Sequence, residues 1–115
     1  MASECIFCRI ASGEIPAAKV DETERVLAFR DVNPQAPVHV LLIPKQHVVE
    51  SAEQLGDAHT ALLAEMFALA SRVARREGLT GGWRLVTNVG PDAGQSVLHL
   101  HVHLLGGRRL GWPPG

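Results

Sequence analysis

The chain has no surplus of charge of either sign: eleven basic side chains face twelve acidic ones among 115 residues, a formal net charge of −1. The whole-molecule positive field of a nucleic-acid binder is therefore missing, and no nucleic-acid partner is expected. No apolar run approaches membrane-spanning length, so no membrane partner is expected either. Met1-Ala2-Ser3-Glu4-Cys5 contains no basic segment leading into an apolar one, which makes the cytoplasm the expected compartment. Internal repeats, low-complexity tracts and Gly/Ser linkers are lacking too. With 46% apolar and 20% charged residues, residues 1–115 read as a single domain with one core. Cysteine is scarce. The only two, Cys5 and Cys8, form a CxxC pair, which in a reducing compartment points to metal or redox chemistry before a structural disulfide.

What is present is strongly patterned. From Cys5 to about Ser12, Ile6, Phe7 and Ile10 recur at helical spacing and Gly13 follows as a stop, predicting a short first helix. Ala18 to Val20 and Val26 to Phe29 read as brief strands joined through Asp21-Glu22-Thr23-Glu24. Asp31-Val32-Asn33-Pro34-Gln35-Ala36-Pro37 must turn, because each proline fixes its own φ and drives its predecessor out of the helical region. Val38 to Pro44 is a strongly apolar strand. One long helix is predicted from Gly56 or Asp57 to Glu77, where Leu55, Ala58, Leu62, Met66, Leu69 and Val73 recur every three or four residues. Arg75 and Arg76 favour its C-terminal end and Gly78 terminates it. Trp83 to Asn88 and Ser96 to Leu105 read as the last two strands, separated by a glycine-rich loop. The tail 106–115 is too rich in glycine and proline for regular structure. Short turns between strands and a single long helix indicate an α+β domain built on a mainly antiparallel sheet.

The run Leu98-His99-Leu100-His101-Val102-His103-Leu104 carries the chemistry. In a strand, side chains alternate, so the three histidines share one face and the apolar residues the other. Three readings are open at this point. The histidines could decorate a solvated face. They could bind a catalytic metal, although ligands spaced about 6.6 Å along one strand cannot all reach one ion, so at most two could share it. Or one neutral imidazole attacks phosphorus while its neighbours and backbone dipoles hold the phosphoryl oxygens. The loop Gly90 to Ser96, with Gln95 beside Ser96, offers backbone N–H groups and a hydroxyl just upstream, as a phosphate cradle requires. The CxxC pair is likewise open among redox chemistry, idle thiols on the first helix, and two ligands of a structural zinc that needs two more.

Gln95-Ser96-Val97-Leu98-His99-Leu100-His101-Val102-His103-Leu104-Leu105 resembles the signature of the histidine triad (HIT) superfamily. Ile15-Pro16-Ala17, Leu27-Ala28-Phe29-Arg30-Asp31, Pro34-Gln35-Ala36-Pro37-Val38-His39, Ile43-Pro44-Lys45, Gly106-Gly107-Arg108 and Trp112-Pro113-Pro114-Gly115 resemble its Hint branch of nucleoside phosphoramidases, in the same order. The resemblance implies a HIT-like α+β fold of about five strands. It implies that His101 attacks the α-phosphorus of a purine nucleoside phosphoramidate, with water then releasing the nucleoside monophosphate. By the same resemblance His103 and Asn88 contact phosphate oxygens, Ser96 serves the leaving atom, and His39 stands behind His101 in a relay. Asp31 accepts from the ribose hydroxyls, while Ile6, Phe7, Ile10, Phe29 and Val32 wall the base.

Some members of the superfamily carry a structural zinc, and the matching positions are Cys5, Cys8, His47 and His99. The resemblance further implies a homodimer joining two sheets, with the tail and Trp112 reaching toward the partner's site. A dinucleoside polyphosphate hydrolase and a nucleotide-binding module with incidental catalysis are the competing functions.

Overall fold

A computed structural model describes residues 4–115. Its elements are α1 (Ile6–Ala11), β1 (Lys19–Glu22), β2 (Val26–Arg30), β3 (Val38–Pro44), α2 (Thr60–Arg76), β4 (Trp83–Val86) and β5 (Val102–Gly106). The strands form one antiparallel sheet in the order β1-β2-β3-β5-β4, the α+β architecture expected.

Strands β2 and β3 are buried on both faces, which explains why their sequences read as nearly unbroken apolar runs. On one face Val26, Ala28, Val40, Leu42, Leu100, Val102 and Leu104 pack against Leu62, Met66, Leu69 and Val73 of α2. Burying each large side chain there contributes about 1.5–3 kcal/mol. On the opposite face Leu27, Phe29, Leu41 and Ile43 meet Phe7 of α1, so the sheet has a second, smaller apolar cluster beside the histidines. Ion pairs fasten α2 to the hairpin: Arg72 and Arg76 both engage Asp21, Arg25 engages Glu65, which also accepts from Thr23, and Arg30 meets Glu77.

The long helix opens with a separate 3-10 turn, Asp57–His59, and Glu77 caps its end. Gly78 follows at φ +72°, the left-handed conformation that stops a helix. β1 begins one residue later than expected and runs on to Glu22, and β4 stops at Val86 rather than Asn88.

The largest departure is in the last strand. Ladder pairing starts at Val102, because residues 96–101 spend their backbone groups elsewhere. The Leu100 N–H donates to the Val49 carbonyl at 3.1 Å, and the Thr87 hydroxyl takes the His101 carbonyl at 2.7 Å. Alternation nevertheless persists through the unpaired segment. Leu100, Val102 and Leu104 enter the α2 core, and His99, His101 and His103 lie on the α1 side; Leu98 is exposed.

Candidate active site and metal cluster

A cleft of about 370 Å³ opens on the α1 side of the sheet. Of the residues expected at a nucleotide site, it gathers Ile6, Phe7, Ile10, Phe29, Asp31, Val32, Ser96, His101 and His103. Ile15, Pro16, Ala17, Leu41 and Val97 also line it. Sequence reasoning assigned them no role, although Leu41 shares the parity of His39 on β3 and so had to face the same side. Val32 is 100% exposed, a lip of the cleft rather than a wall. His39, Asn88, Gln95 and Trp112 are outside the lining.

The Gln95 side chain is engaged by its own surroundings. Its Oε1 accepts the Gly90 N–H at 3.0 Å, and its Nε2 donates to the carbonyls of Glu50 and Val97 at 2.8 and 3.1 Å. It staples the glycine loop shut and ties it to Glu50. Trp112 is 83% exposed within the single chain.

Hydrogen bonds assign the imidazole protons, because a carbonyl can only accept and an amide N–H can only donate. Nδ1 of His101 meets the His99 carbonyl at 2.7 Å, so Nδ1 carries the proton and, in the neutral ring, Nε2 holds the lone pair. The ring is buried against Phe7, edge to face, at a centroid distance of 5.0 Å. The Gln35 N–H donates to Nδ1 of His39 at 3.0 Å, placing the His39 proton on Nε2. That atom lies 2.9 Å from Nδ1 of His103, which must then accept, leaving the His103 proton on Nε2.

His39 therefore stands behind His103, not behind His101. Register explains it: Leu41 pairs with His103, so His39 is the diagonal neighbour of His103 on that face. Burial lowers the pKa of His39, opposed by the Asp31 carboxylate. His103 is held down to about 4, first by burial and then by repulsion from His101 and His39. Both rings are neutral near pH 7, as the proton assignment requires. Asp31 Oδ1 accepts the Asn33 N–H at 2.8 Å, and Oδ2 lies 3.4 Å from Nε2 of His39.

Beside this cleft lies a second cluster. Cys5 caps α1, its sulfur accepting the Cys8 N–H at 3.4 Å, which stacks the two thiols one turn apart. Nδ1 of His99 is 3.2 Å from the Cys5 sulfur and 3.5 Å from that of Cys8; Nδ1 of His47 is 3.4 Å from the Cys8 sulfur. All four donor atoms lie within 4.8 Å of one another. Zinc bonds of about 2.3 Å to sulfur and 2.0–2.1 Å to nitrogen give tetrahedral S–N edges of about 3.6 Å, so the four residues fit that ion. His99 is fully buried and its Nε2 donates to the Pro44 carbonyl at 2.8 Å, which frees Nδ1 as a ligand. Without a cation, burial and the neighbouring Cys5 push the Cys8 thiol up to about 11. A dication reverses that preference.

An antiparallel sheet carrying alternating histidines beside a nucleotide-sized cleft is matched by the HIT domain over residues 12–110, and the chain belongs to that family. It is 49% identical over 114 residues to the 14 kDa zinc-binding protein of Zea mays, covering 98% of this chain and 89% of the relative. It is 48% identical over 114 residues to adenylylsulfatase HINT1 of Arabidopsis thaliana, covering 98% and 78%. The crystal structure of a HIT family hydrolase from Legionella pneumophila superposes with a TM-score of 0.93 at 51% identity, covering 96% of this chain and 99% of the other.

Proposed function

We propose that the protein is a nucleotide hydrolase that cleaves purine nucleoside 5′-phosphoramidates through a covalent nucleotidyl-histidine on His101. The observation that carries this reading is the Nδ1–H bond from His101 to the His99 carbonyl, which leaves Nε2 as a lone-pair donor on a ring lining the cleft. In the first step Nε2 forms a bond to the α-phosphorus as the bond to the leaving nitrogen breaks. The departing amine takes a proton that originates in solvent and is relayed through the Ser96 hydroxyl, which is reprotonated as it donates, and the His103 Nε2–H bonds a phosphoryl oxygen. Water then adds to phosphorus and gives up a proton to solvent, the imidazole leaves with its electron pair, and the nucleoside monophosphate is released. Ile6, Phe7, Ile10 and Phe29 enclose the base. Asp31, whose carboxylate keeps lone pairs beyond its Asn33 bond, takes the ribose hydroxyls, and Asn88 assists at phosphate.

Cys5, Cys8, His47 and His99 are read as the ligands of a structural zinc. Such an ion would supply no step of the reaction; held by these residues it would anchor His99, whose carbonyl orients the nucleophile. A homodimer, with the tail and Trp112 approaching the partner's cleft, and a cytoplasmic location complete the reading. No helix among the described residues is long and apolar enough to cross a membrane.

A second reading, hydrolysis of adenylyl sulfate, is favoured by the Arabidopsis relative named for that activity. Sulfate departs without a proton, so Ser96 would be dispensable there. Turnover of adenosine phosphoramidate, adenylyl sulfate and diadenosine polyphosphate by wild type, His101→Ala and Ser96→Ala separates these cases. The expected result is phosphoramidate turnover lowered at least about 10⁴-fold by His101→Ala and impaired by Ser96→Ala. Robust turnover without His101 would refute the mechanism.

A further inference from the structure

The tautomer of His103 is set through His39, whose Nδ1 is held by a donor outside the cleft while Asp31 of the cleft lies near its Nε2. Its chain of donors begins at the Gln35 amide, which lies in the turn 34–37 between β2 and β3. That turn is itself held by the start of the C-terminal tail. Nη2 of Arg108 donates to the Gln35 carbonyl at 3.1 Å. Gly107, at φ +89°, backs so closely onto Pro37 that a Cβ there would sit 2.9 Å from the proline Cβ. Gln35 thus has its carbonyl pinned by the tail, while its own N–H, in the preceding peptide, points at Nδ1 of His39.

We infer that Arg108 and Gly107 are positioning residues. They clamp the turn so that the Gln35 amide keeps His39, and through it His103, in the tautomer that presents Nε2–H to a phosphate oxygen. In the other tautomer His103 would turn a lone pair toward that oxygen, exchanging a hydrogen bond for repulsion. This gives the tail a task inside its own subunit, separate from any reach toward a partner. Only the consequence for turnover rests on the proposed hydrolase reading; the proton positions do not.

The test is ¹⁵N spectroscopy of the histidine side chains in ligand-free protein, paired with kinetics on adenosine phosphoramidate. In wild type, His39 and His103 are expected to show protonated Nε2 and unprotonated Nδ1. Arg108→Ala should move the nitrogens of both rings toward tautomer-averaged positions while leaving His101 unchanged. Loss of a single charge-assisted hydrogen bond at an exposed site should lower kcat roughly three- to tenfold, with a smaller change in KM. Arg108→Lys keeps the charge and a donor and should give intermediate shifts; it serves the same test if the alanine chain does not fold. Arg109→Ala, at the neighbouring exposed side chain, should match wild type.

Unchanged His39 and His103 nitrogens in the Arg108 variants, whatever their activity, would overturn the inference. So would a wild-type His39 carrying its proton on Nδ1. If the nitrogens shift as expected but wild type does not turn over phosphoramidate, the hydrolase reading falls and the clamp stands.

Discussion

Replacing His103 by glutamine should remove a large part of the protein's loss of stability in mild acid. His103 titrates near 4 in the folded chain against an ordinary 6.5, chiefly because it is buried and faces His101 and His39. Its native pKa is depressed, so the unfolded chain takes up a proton that the folded one refuses. Stability is complete above about pH 6.5 and falls as pH drops toward 4. At about 1.36 kcal/mol per pH unit, the full displacement corresponds to roughly 3 kcal/mol. Since the ring borders an open cleft and water can relax part of that cost, about 2 kcal/mol should be lost between pH 7 and pH 4.5. Urea unfolding of wild type and His103→Gln across that range measures it. The difference between the two proteins cancels the titrations remote from His103, and His39, its hydrogen-bond partner, is followed separately by its own ring resonances. The curves should converge by about 2 kcal/mol as pH falls, and the His103 ring protons should titrate near pH 4 in NMR spectra. Parallel stability curves, or a His103 titrating near its ordinary value, would refute the neutral-donor assignment.

Other consequences follow from the same geometry. Asp21, 13% exposed, is held down to about 2 chiefly by its hydrogen bond to Arg72. Because both arginine partners are about half exposed, Asp21→Asn should cost about 1 kcal/mol at neutral pH in thermal or urea unfolding, and that difference should disappear as pH falls through 2. Purified protein should hold one equivalent of zinc by elemental analysis; Cys8→Ser should bind it far more weakly, and chelation should disturb the His101 ring resonances through His99 before it unfolds the sheet. Leu69→Ala, in the α2 core, should destabilise by about 2–5 kcal/mol in denaturant unfolding without altering the cleft.

The parts of the fold that were legible in the sequence are those set by periodicity. The spacing of Leu62, Met66, Leu69 and Val73 could only be one buried helix face. The run from Val38 to Pro44, apolar but for His39, is a strand covered on both sides, bounds included. The face shared by His99, His101 and His103 was legible too, because side-chain parity survives where ladder pairing does not. Where β5 begins was not legible: residues 96–101 look like strand, but Val49, Thr87, Gln95 and the His101 ring all lay claim to their backbone groups. Long-range partners were equally hidden. Nothing local marks Gln95 as a staple across to Glu50, or His39 as the neighbour of His103, since both depend on register and loop closure. The four metal-type ligands meet only because α1 folds back across the sheet.

In the proposed mechanism Nε2 of His101 forms the bond to phosphorus. Rapid quenching of the enzyme during adenosine phosphoramidate turnover, followed by peptide mapping, tests it most directly. An acid-labile adenylyl group is expected on the peptide containing His101 in wild type and none in His101→Ala. An adduct on His99 or His103, or full-rate turnover with no adduct formed at all, would contradict it.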